Sequence, residues 1–230
     1  MTSHSFSAAR AAQIQAARVE LERLHKPLVT NHLVVWTGGN VSTRVITEGE
    51  PDVFVIKPSG VSYDDLTADA MVVCDLDGNL LDGQRSPSSD TAAHAYVYRH
   101  MPTVGGVVHT HSNYACAWAA VGKPIPCVLT AQADEFGGEI PVGPFAIIGD
   151  DSIGRGIVET LAGHRSPAVL MQNHGVFAIG PDANSAVKAA VMCEDVAKST
   201  LLATALGEPI AIPQVHVDAL HKRYQNVYGK

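Results

Sequence analysis

Residues 105–118 read GGVVHTHSNYACAW, and this stretch predicts a strand followed by a helix. The apolar run ends in His109 and His111, which would project from one face of a β-strand because side chains alternate between faces. Ser112 or Asn113 can then cap a helix over YACAWAAVG. Two imidazoles aimed at one point suit a metal ion, although a His-x-His pair also occurs among surface residues and in hydrogen-bond networks.

The bulk properties of the chain are those of one large globular domain. The chain has 230 residues, of which 46% are hydrophobic and 17% charged, so we expect a single domain over residues 1–230 with a sizeable core. No run of 18 apolar residues occurs, and residues 1–25 lack the pattern of a secretory signal, which predicts a soluble cytoplasmic protein with no membrane partner. The formal charge of −7, without a Lys/Arg cluster, argues against nucleic acid as a partner.

The four cysteines give no sign of a metal or disulfide framework. They lie far apart in apolar segments, and no two of them form a CxxC pair. We therefore expect reduced, buried and structural thiols. The residues concerned are Cys74, Cys116, Cys127 and Cys193.

Hydrophobic periodicity and turn signals predict the other elements. We expect helices over 8–30, from after Asp90 to about His100, and over about 182–206, with strands at 33–36, 53–57, 71–75 and 167–174, the last continuing through GVFAIG. The stretch from 30 to 87 is expected to be a mainly antiparallel meander. No internal repeat or linker interrupts the pattern, and the order of elements predicts an α/β/α layered domain.

A third histidine repeats the arrangement at the end of an apolar run. His174 in LMQNHGVFAIG is followed by Gly175, which allows a close backbone approach or an unusual φ. Three strand-end histidines would leave positions open for a carboxylate, water or substrate, and Asp90 is the nearest candidate carboxylate in sequence. The segment Asn173-His174-Gly175 can equally be a polar turn. The remaining histidines, His94 in a predicted helix among them, are expected to be surface or hydrogen-bonded residues.

Three short segments could bind a phosphate, although each is also a plausible turn. They are 39–42 (GNVS), 57–60 (KPSG) and the Ser88-Ser89 pair. Backbone N–H groups in glycine turns and at helix N-termini attract anions, and serine hydroxyls add donors. Ser88-Ser89 lies where a helix should begin, and Lys57 could add positive charge nearby.

Six ordered motifs resemble the class II aldolase and adducin family. They are GGNVS (38–42), KPSGV (57–61), PSSDT (87–91), GGVVHTH (105–111), TAQAD (130–134) and NHG (173–175). The resemblance spans nearly the whole chain, and the ordered set is much more specific than any one motif.

The resemblance implies a three-layer α/β/α fold with a central mainly antiparallel sheet, and a homotetramer with active sites at subunit interfaces. It also implies a phosphorylated ketose as substrate and a divalent metal, Zn²⁺ or else Mn²⁺ or Co²⁺. By matching motifs, the expected metal ligands are His109, His111 and His174. The expected phosphate binders are Asn40, Ser59, Gly60, Ser88 and Ser89.

Position 90 separates two branches of the family. Aldolases that resemble this chain carry Glu after the paired serines as a base, whereas epimerases carry Asp as a metal ligand, and this chain has Asp90. Asp134 matches an acid/base aspartate of the epimerases, and Tyr228 matches their C-terminal tyrosine, unless it is a terminal residue without a role. The resemblance therefore implies an isomerase that interconverts L-ribulose 5-phosphate and D-xylulose 5-phosphate by retro-aldol and aldol steps.

The chain departs from the epimerase pattern in three places, which leaves other functions open. Gln132 stands where epimerases carry His, the segment after Pro141 is shorter, and LMQNHG has Gln-Asn where they carry a second nearby histidine, as in the aldolases. One alternative is an aldolase or related lyase on another ketose phosphate. The other is a non-catalytic assembly domain of the adducin kind, which would need neither the histidines nor the phosphate motifs.

Overall fold

The computed structural model describes residues 6–227, which form seven α-helices and eight strands. The helices are α1 (Ala8–Thr30), α2 (Thr91–His100), α3 (Asn113–Ala120), α4 (Thr130–Phe136), α5 (Ser152–Leu161), α6 (Ala183–Leu206) and α7 (Gln214–Val227). The strands are β1 (Asn40–Val45), β2 (Val53–Ile56), β3 (Val72–Asp75), β4 (Leu80–Asp82), β5 (Gly106–Thr110), β6 (Val142–Gly143), β7 (Ala168–Met171) and β8 (Gly175–Gly180).

All eight strands belong to one sheet, in the order β4-β3-β2-β1-β5-β8-β7-β6. Every neighbouring pair is antiparallel except β6 and β7, which are parallel. In the middle of the sheet, His109 on β5 lies opposite Asn40 on β1 and opposite Phe177 on β8. The register therefore places side chains of three strands side by side, with the polar Asn40 and His109 as neighbours.

Two apolar clusters lie on opposite faces of this sheet and make a three-layer structure. One cluster packs α1, α3 and α6 against the sheet, with Leu21, Ala119 and Val196 among its buried members. The other packs α2 and α5, with Val97 and Ile157 buried. The predicted α/β/α class with a mainly antiparallel sheet is confirmed.

Four of the seven helices in the described residues were predicted from apolar spacing and capping residues. The bounds predicted for α1 are those observed, and Ser7 caps this helix by accepting a hydrogen bond from the Arg10 N–H. Helix α2 begins directly after Asp90, as expected, and α6 begins one residue later than predicted. Three helices that the sequence pattern did not identify are α4, α5 and α7.

The predicted strand at 33–36 is wrong. The backbone N–H groups of Asn31, His32 and Leu33 donate to carbonyls of the last turn of α1, so this segment terminates the helix instead of joining the sheet. His32 and Trp36 both have positive φ, which turns the chain towards β1. Segment 33–36 is rich in valine, which favours strands, but its backbone follows the hydrogen bonds that terminate α1.

The strand predicted over 167–174 and onward is in fact a hairpin. Strands β7 and β8 pair antiparallel, and the chain reverses through residues 172–174, where Asn173 has φ +56°. His174 therefore lies in a turn before β8 and not at the end of a continuous strand. The turn brings it back to the end of β5, because β8 pairs with β5.

The cysteine prediction holds in part, and the helices contain no membrane span. All four thiols are free; Cys74 and Cys193 are buried, but Cys116 and Cys127 are only partly buried, so the prediction of burial is wrong for these two. Over residues 6–227, no helix is both long enough and apolar enough to cross a bilayer.

Candidate metal centre

The three predicted histidines meet at one end of the sheet. One ring nitrogen from each of His109, His111 and His174 lies within 4.8 Å of the others, and the Nε2 atoms of His109 and His111 are 2.9 Å apart. His109 is buried, His174 half-buried and His111 exposed, so the cluster opens to solvent on one side. This arrangement can hold a metal ion and leave it accessible to a small molecule.

Hydrogen bonding and burial keep His109 in the form that a metal requires. Its Nδ1–H donates to the Val176 carbonyl at 2.9 Å, which leaves the Nε2 lone pair facing the cluster. Burial lowers the pKa of His109 to about 3 and also lowers the pKa of His174. Both imidazoles are therefore neutral at pH 7, as metal ligands must be.

Gly175 is required for the close approach of the two histidine segments. A Cβ at this position would lie 2.5 Å from the Thr110 carbonyl oxygen and 2.9 Å from Cδ2 of His111. Its φ is not positive, so the glycine provides space and not an unusual backbone conformation. The close approach anticipated from sequence is present.

Asp90 lies near enough for His109 and His174 to affect its pKa, but its oxygens are not among the ligand atoms that converge within 4.8 Å. The residue is 5% exposed, and its Oδ2 accepts a hydrogen bond from Asn40 Nδ2 at 2.7 Å. Its Oδ1 is buried and has no hydrogen-bond partner within residues 6–227. Burial raises the pKa of Asp90, but nearby groups, His109 first among them, outweigh this effect and hold the pKa below its usual range. An ionised oxygen without a partner next to neutral imidazoles fits a divalent cation.

The segments expected to bind phosphate lie next to one another. Asn40 Nδ2 also donates to Ser88 Oγ at 2.9 Å, and the Ser88 N–H donates to the Lys57 carbonyl at 3.2 Å. The Ser59 N–H donates to the Ser86 carbonyl, which joins the loops on either side. Ser59, Gly60 and Ser89 are exposed and can meet a ligand, whereas Asn40 lies beneath them.

Lys57 does not project into solvent. It is 2% exposed, and its Nζ donates to the carbonyls of Thr37 at 3.0 Å and Pro58 at 3.4 Å and lies 5.2 Å from the centre of the Tyr63 ring. Burial lowers its pKa to about 8. In this structure the side chain supports the glycine turn before Asn40.

Asp134 is placed elsewhere within the single chain. It lies on α4, its carbonyl accepts from His221 Nδ1 of α7 at 3.0 Å, and its Oδ1 is buried without a partner in the described chain. Gly137, at the end of α4, lies against Arg165, which precedes β7. The histidines lie beyond the other end of β7, so one chain does not bring Asp134 to them. Tyr228 lies outside the described residues.

Two groups near the histidines were not identified from the sequence as parts of the site. Glu194 on α6 accepts from the N–H groups of Tyr114 and Ala115, both at 2.9 Å, and so fixes the start of α3 just after His111. His94 is completely buried one helical turn after Asp90. The spacing of four residues between Asp90 and His94 was the signal that could have drawn attention to His94.

A cavity of about 620 Å³ lies away from these groups. Its lining includes residues before β5 and β7 and after β8, namely Val104, Pro167 and Pro181, together with His221 on α7. The three histidines lie at the end of β5 and just before β8, at the opposite end of the strands. The cavity is therefore a separate feature from the histidine cluster.

The fold and the histidine cluster agree with the family that the sequence matches. Residues 19–201, more than half of the chain, match the sequence model of the family "Class II Aldolase and Adducin N-terminal domain". The chain belongs to the class II aldolase and adducin family. The resemblance inferred from the six motifs is thereby confirmed at the level of the family.

Solved structures of similar proteins support this membership. An L-fuculose 1-phosphate aldolase is 27% identical with a TM-score of 0.84, over 97% of this chain and 100% of that one. The L-fuculose-1-phosphate aldolase from Thermus thermophilus is 25% identical with a TM-score of 0.67, over 85% and 97%. YgbL from Klebsiella pneumoniae, for which aldolase, epimerase and decarboxylase are all named as candidate activities, is 26% identical with a TM-score of 0.76, over 90% and 99%.

Proposed function

We propose that this chain is a divalent-metal-dependent enzyme that cleaves and re-forms a carbon–carbon bond in a phosphorylated ketose. The main support is the cluster of His109, His111 and His174 beside Asp90, whose Oδ1 has no other partner in residues 6–227. Family membership supports the same type of reaction. The alternative of an adducin-like assembly domain would not account for converging imidazoles near a buried carboxylate.

One set of residues would hold the cation, and a second set would bind the substrate phosphate. His109, His111, His174 and Asp90 would hold Zn²⁺, or else Mn²⁺ or Co²⁺, which when bound acts as a Lewis acid on the ketose carbonyl. The exposed Ser59, Gly60 and Ser89, with Asn40 and Ser88 beneath them, would bind and orient the phosphate. Phosphate binding fixes the sugar so that its carbonyl faces the histidines.

The specific reaction we propose is inversion at C4 of L-ribulose 5-phosphate to give D-xylulose 5-phosphate. A base removes the proton of the C4 hydroxyl as the C3–C4 bond breaks, and the aldehyde fragment turns before the bond forms again. An acid on the opposite face then returns a proton to the C4 oxygen. We propose Asp134 and Tyr228 for these two roles. Asp90 has a shorter side chain than the glutamate of the aldolases, so we propose it as a metal ligand and not as a base that reaches the substrate.

This mechanism requires a second copy of the chain. Asp134 lies with α7, at the opposite end of β7 from His174, so a shared site needs the α4 end of one subunit to meet the histidine end of another. A homotetramer with active sites at its interfaces would supply this contact.

The second candidate is an aldolase that releases its fragments. The observation in its favour is the similarity to an L-fuculose 1-phosphate aldolase over 97% of this chain and 100% of that one. Cleavage of L-fuculose 1-phosphate between C3 and C4 would give dihydroxyacetone phosphate and lactaldehyde. In this case recapture of the aldehyde is not needed, and inversion at C4 would be slow or absent.

The test is to incubate the zinc-loaded protein with L-ribulose 5-phosphate and follow D-xylulose 5-phosphate and free glycolaldehyde phosphate together. We expect the epimer to form faster than the fragments. Faster accumulation of fragments, or turnover of L-fuculose 1-phosphate alone, would favour the aldolase. Free L-ribulose is the control, and its kcat/KM should be at least roughly tenfold lower because charge-assisted hydrogen bonds to phosphate are lost.

A further inference from the structure

His94 belongs to a buried chain of hydrogen bonds that leads towards Asp90. Its Nδ1 lies 2.7 Å from Ser42 Oγ, and Ser42 Oγ lies 2.7 Å from the Tyr98 hydroxyl. His94, Ser42 and Tyr98 are each 0% exposed. The chain therefore connects β1 to two successive turns of α2 without access to water.

The donors and acceptors in this chain determine which nitrogen of His94 carries the proton. Burial raises the pKa of Tyr98, which therefore keeps its hydroxyl hydrogen and donates it to Ser42 Oγ. Ser42 then donates its own hydrogen to His94 Nδ1. Burial lowers the pKa of His94 to about 4, so the neutral ring carries one hydrogen, on Nε2. The opposite direction would leave the buried Tyr98 hydrogen without its Ser42 acceptor.

The Nε2–H of His94 and the Oδ1 of Asp90 are complementary buried groups. Neither has a hydrogen-bond partner in the part of the chain that the structure describes. The two residues are four apart at the start of α2, a spacing that puts side chains on one face of a helix. The two atoms are not hydrogen-bonded directly to each other, but one buried water can bridge a donor and an acceptor of this kind.

We infer that His94 is a positioning residue that orients the Asp90 carboxylate near the histidine cluster through its Nε2–H and one bridging water. This inference rests on the proposed function, in which Asp90 helps to hold a cation. Asn40 orients the carboxylate from the Oδ2 side, and His94 orients it from the Oδ1 side, so that rotation of the carboxylate is restricted. Oδ1 has two lone pairs, so it can accept from the bridging water and still face a cation. A residue that orients a ligand in this way typically changes metal affinity by about 10- to 100-fold when it is replaced.

Packing is the competing explanation for His94. Its ring meets the edge of Phe177 at 6.1 Å between centroids, and Phe177 stacks on His109 at 4.2 Å. Replacement of His94 could therefore disturb His109 by loss of ring volume alone. The test must separate the Nε2–H from the ring.

Two variants make this separation. The amide nitrogen of His94→Gln can reach the place of Nε2, whereas His94→Asn can replace only Nδ1, and both lose the ring. Zn²⁺ affinity of the metal-free protein, measured by competition with a chelator, should stay within about threefold of wild type in His94→Gln and fall about 10- to 100-fold in His94→Asn. Equal losses in both variants, or no loss in either, would overturn the inference.

A double-mutant cycle and a wild-type measurement complete the test. In an Asp90→Asn background, the Gln and Asn variants at position 94 should bind Zn²⁺ equally, because the carboxylate that they orient is gone; a persisting difference would contradict the assignment. If His94→Asn does not fold, ¹⁵N NMR of the histidines in metal-free wild-type protein should find the His94 proton on Nε2, and a proton on Nδ1 would overturn the inference. Failure of the wild type to bind any divalent metal would instead count against the proposed function.

Discussion

The two ends of the central sheet hold their polar groups in different ways. At the histidine end, His109, Asp90 and Asn40 are buried, and they come from β5, the start of α2 and β1. At the other end, α4 and α7 border an open cavity, and an ion pair there such as Arg165 with Asp218 is about half exposed on each side. One chain therefore brings the three histidines together by itself, whereas Asp134, proposed for proton transfer, would have to come from another subunit.

The largest expected effect is at the histidine end. His111→Ala should remove most bound Zn²⁺ and activity, because it deletes a proposed ligand. Loss of a residue that only orients a ligand typically lowers metal affinity by about 10- to 100-fold, so the effect here should be larger. The fold should survive because His111 is exposed. Metal analysis and circular dichroism of the purified variant measure both outcomes.

The control is His216→Ala on α7, another exposed histidine, which should keep its metal and activity. Full metal occupancy in the His111→Ala protein would show that the cluster is not the metal centre.

The second prediction tests whether the two ends act together. Asp134→Asn should slow C4 inversion by roughly two to four orders of magnitude, as expected for a proton-transfer residue, with metal content unchanged. A near-normal rate would remove Asp134 from the mechanism.

Mixing gives a sharper form of this test. When His111→Ala and Asp134→Asn proteins are unfolded and refolded together in equal amounts, roughly a quarter of interfacial sites combine two intact halves. Activity should return towards that fraction, while each variant refolded alone stays inactive. No recovery in demonstrably mixed oligomers would mean that the two ends do not share a site.

The third prediction concerns the spacing within the histidine end. Gly175→Ala should weaken Zn²⁺ binding by roughly 10- to 100-fold, because its Cβ would displace the Thr110 carbonyl or the His111 ring. Gly38→Ala is the matched control, since its Cβ would lie 3.6 Å from His111 Nδ1, an ordinary contact. Chelator competition measures both variants, and equal affinities would show that the tight approach at Gly175 does not matter.

The smallest expected effect is a pH dependence of stability beneath the histidine end. His25 lies between the Leu21 carbonyl, 2.7 Å from Nδ1, and the Val41 N–H, which donates to Nε2 at 3.1 Å. Burial lowers its pKa to about 4 from 6.5, so between these values the unfolded chain binds a proton that the folded chain excludes. The free energy of unfolding should therefore fall as pH falls, by up to about 1.4 kcal/mol per pH unit from this group.

Urea unfolding at pH 7, 6 and 5 measures this slope. His25→Gln should lose this part of the slope, whereas His221→Gln, at the partly exposed α7 end, should keep the wild-type dependence. Identical slopes in wild type and His25→Gln would contradict the assignment.

Local sequence signals indicated part of the histidine end, and the family resemblance supplied the rest. Two-residue spacing at the end of an apolar run identified His109 and His111, and a glycine after His174 indicated a close approach. Apolar spacing gave the bounds of α1, and the structure adds Ser7 as its cap. These signals succeed because they describe contacts between residues that are near in sequence or in one regular element.

Long-range packing accounts for what the sequence did not reveal. Helix α7 has one buried residue, Val217, so its pattern carries little information. The position of Asp134 depends on how α4 packs against α7, which no local pattern encodes. From the sequence, His94 was expected to be a surface or hydrogen-bonded residue because it lies inside a predicted helix. Its separation of four residues from Asp90 was visible in the sequence but was not used.

The place of β5 within the sheet affects how this protein can change over evolutionary time. Four strands lie on one side of β5 and three on the other, so the histidines are anchored far from both sheet edges. The segments 34–37 and 144–149 are mostly exposed or partly exposed and lie outside the eight strands. They carry exposed apolar side chains such as Trp36 and Ile147. Insertions or substitutions in those segments can reshape the entrance for a new substrate while the cation-binding groups keep their positions.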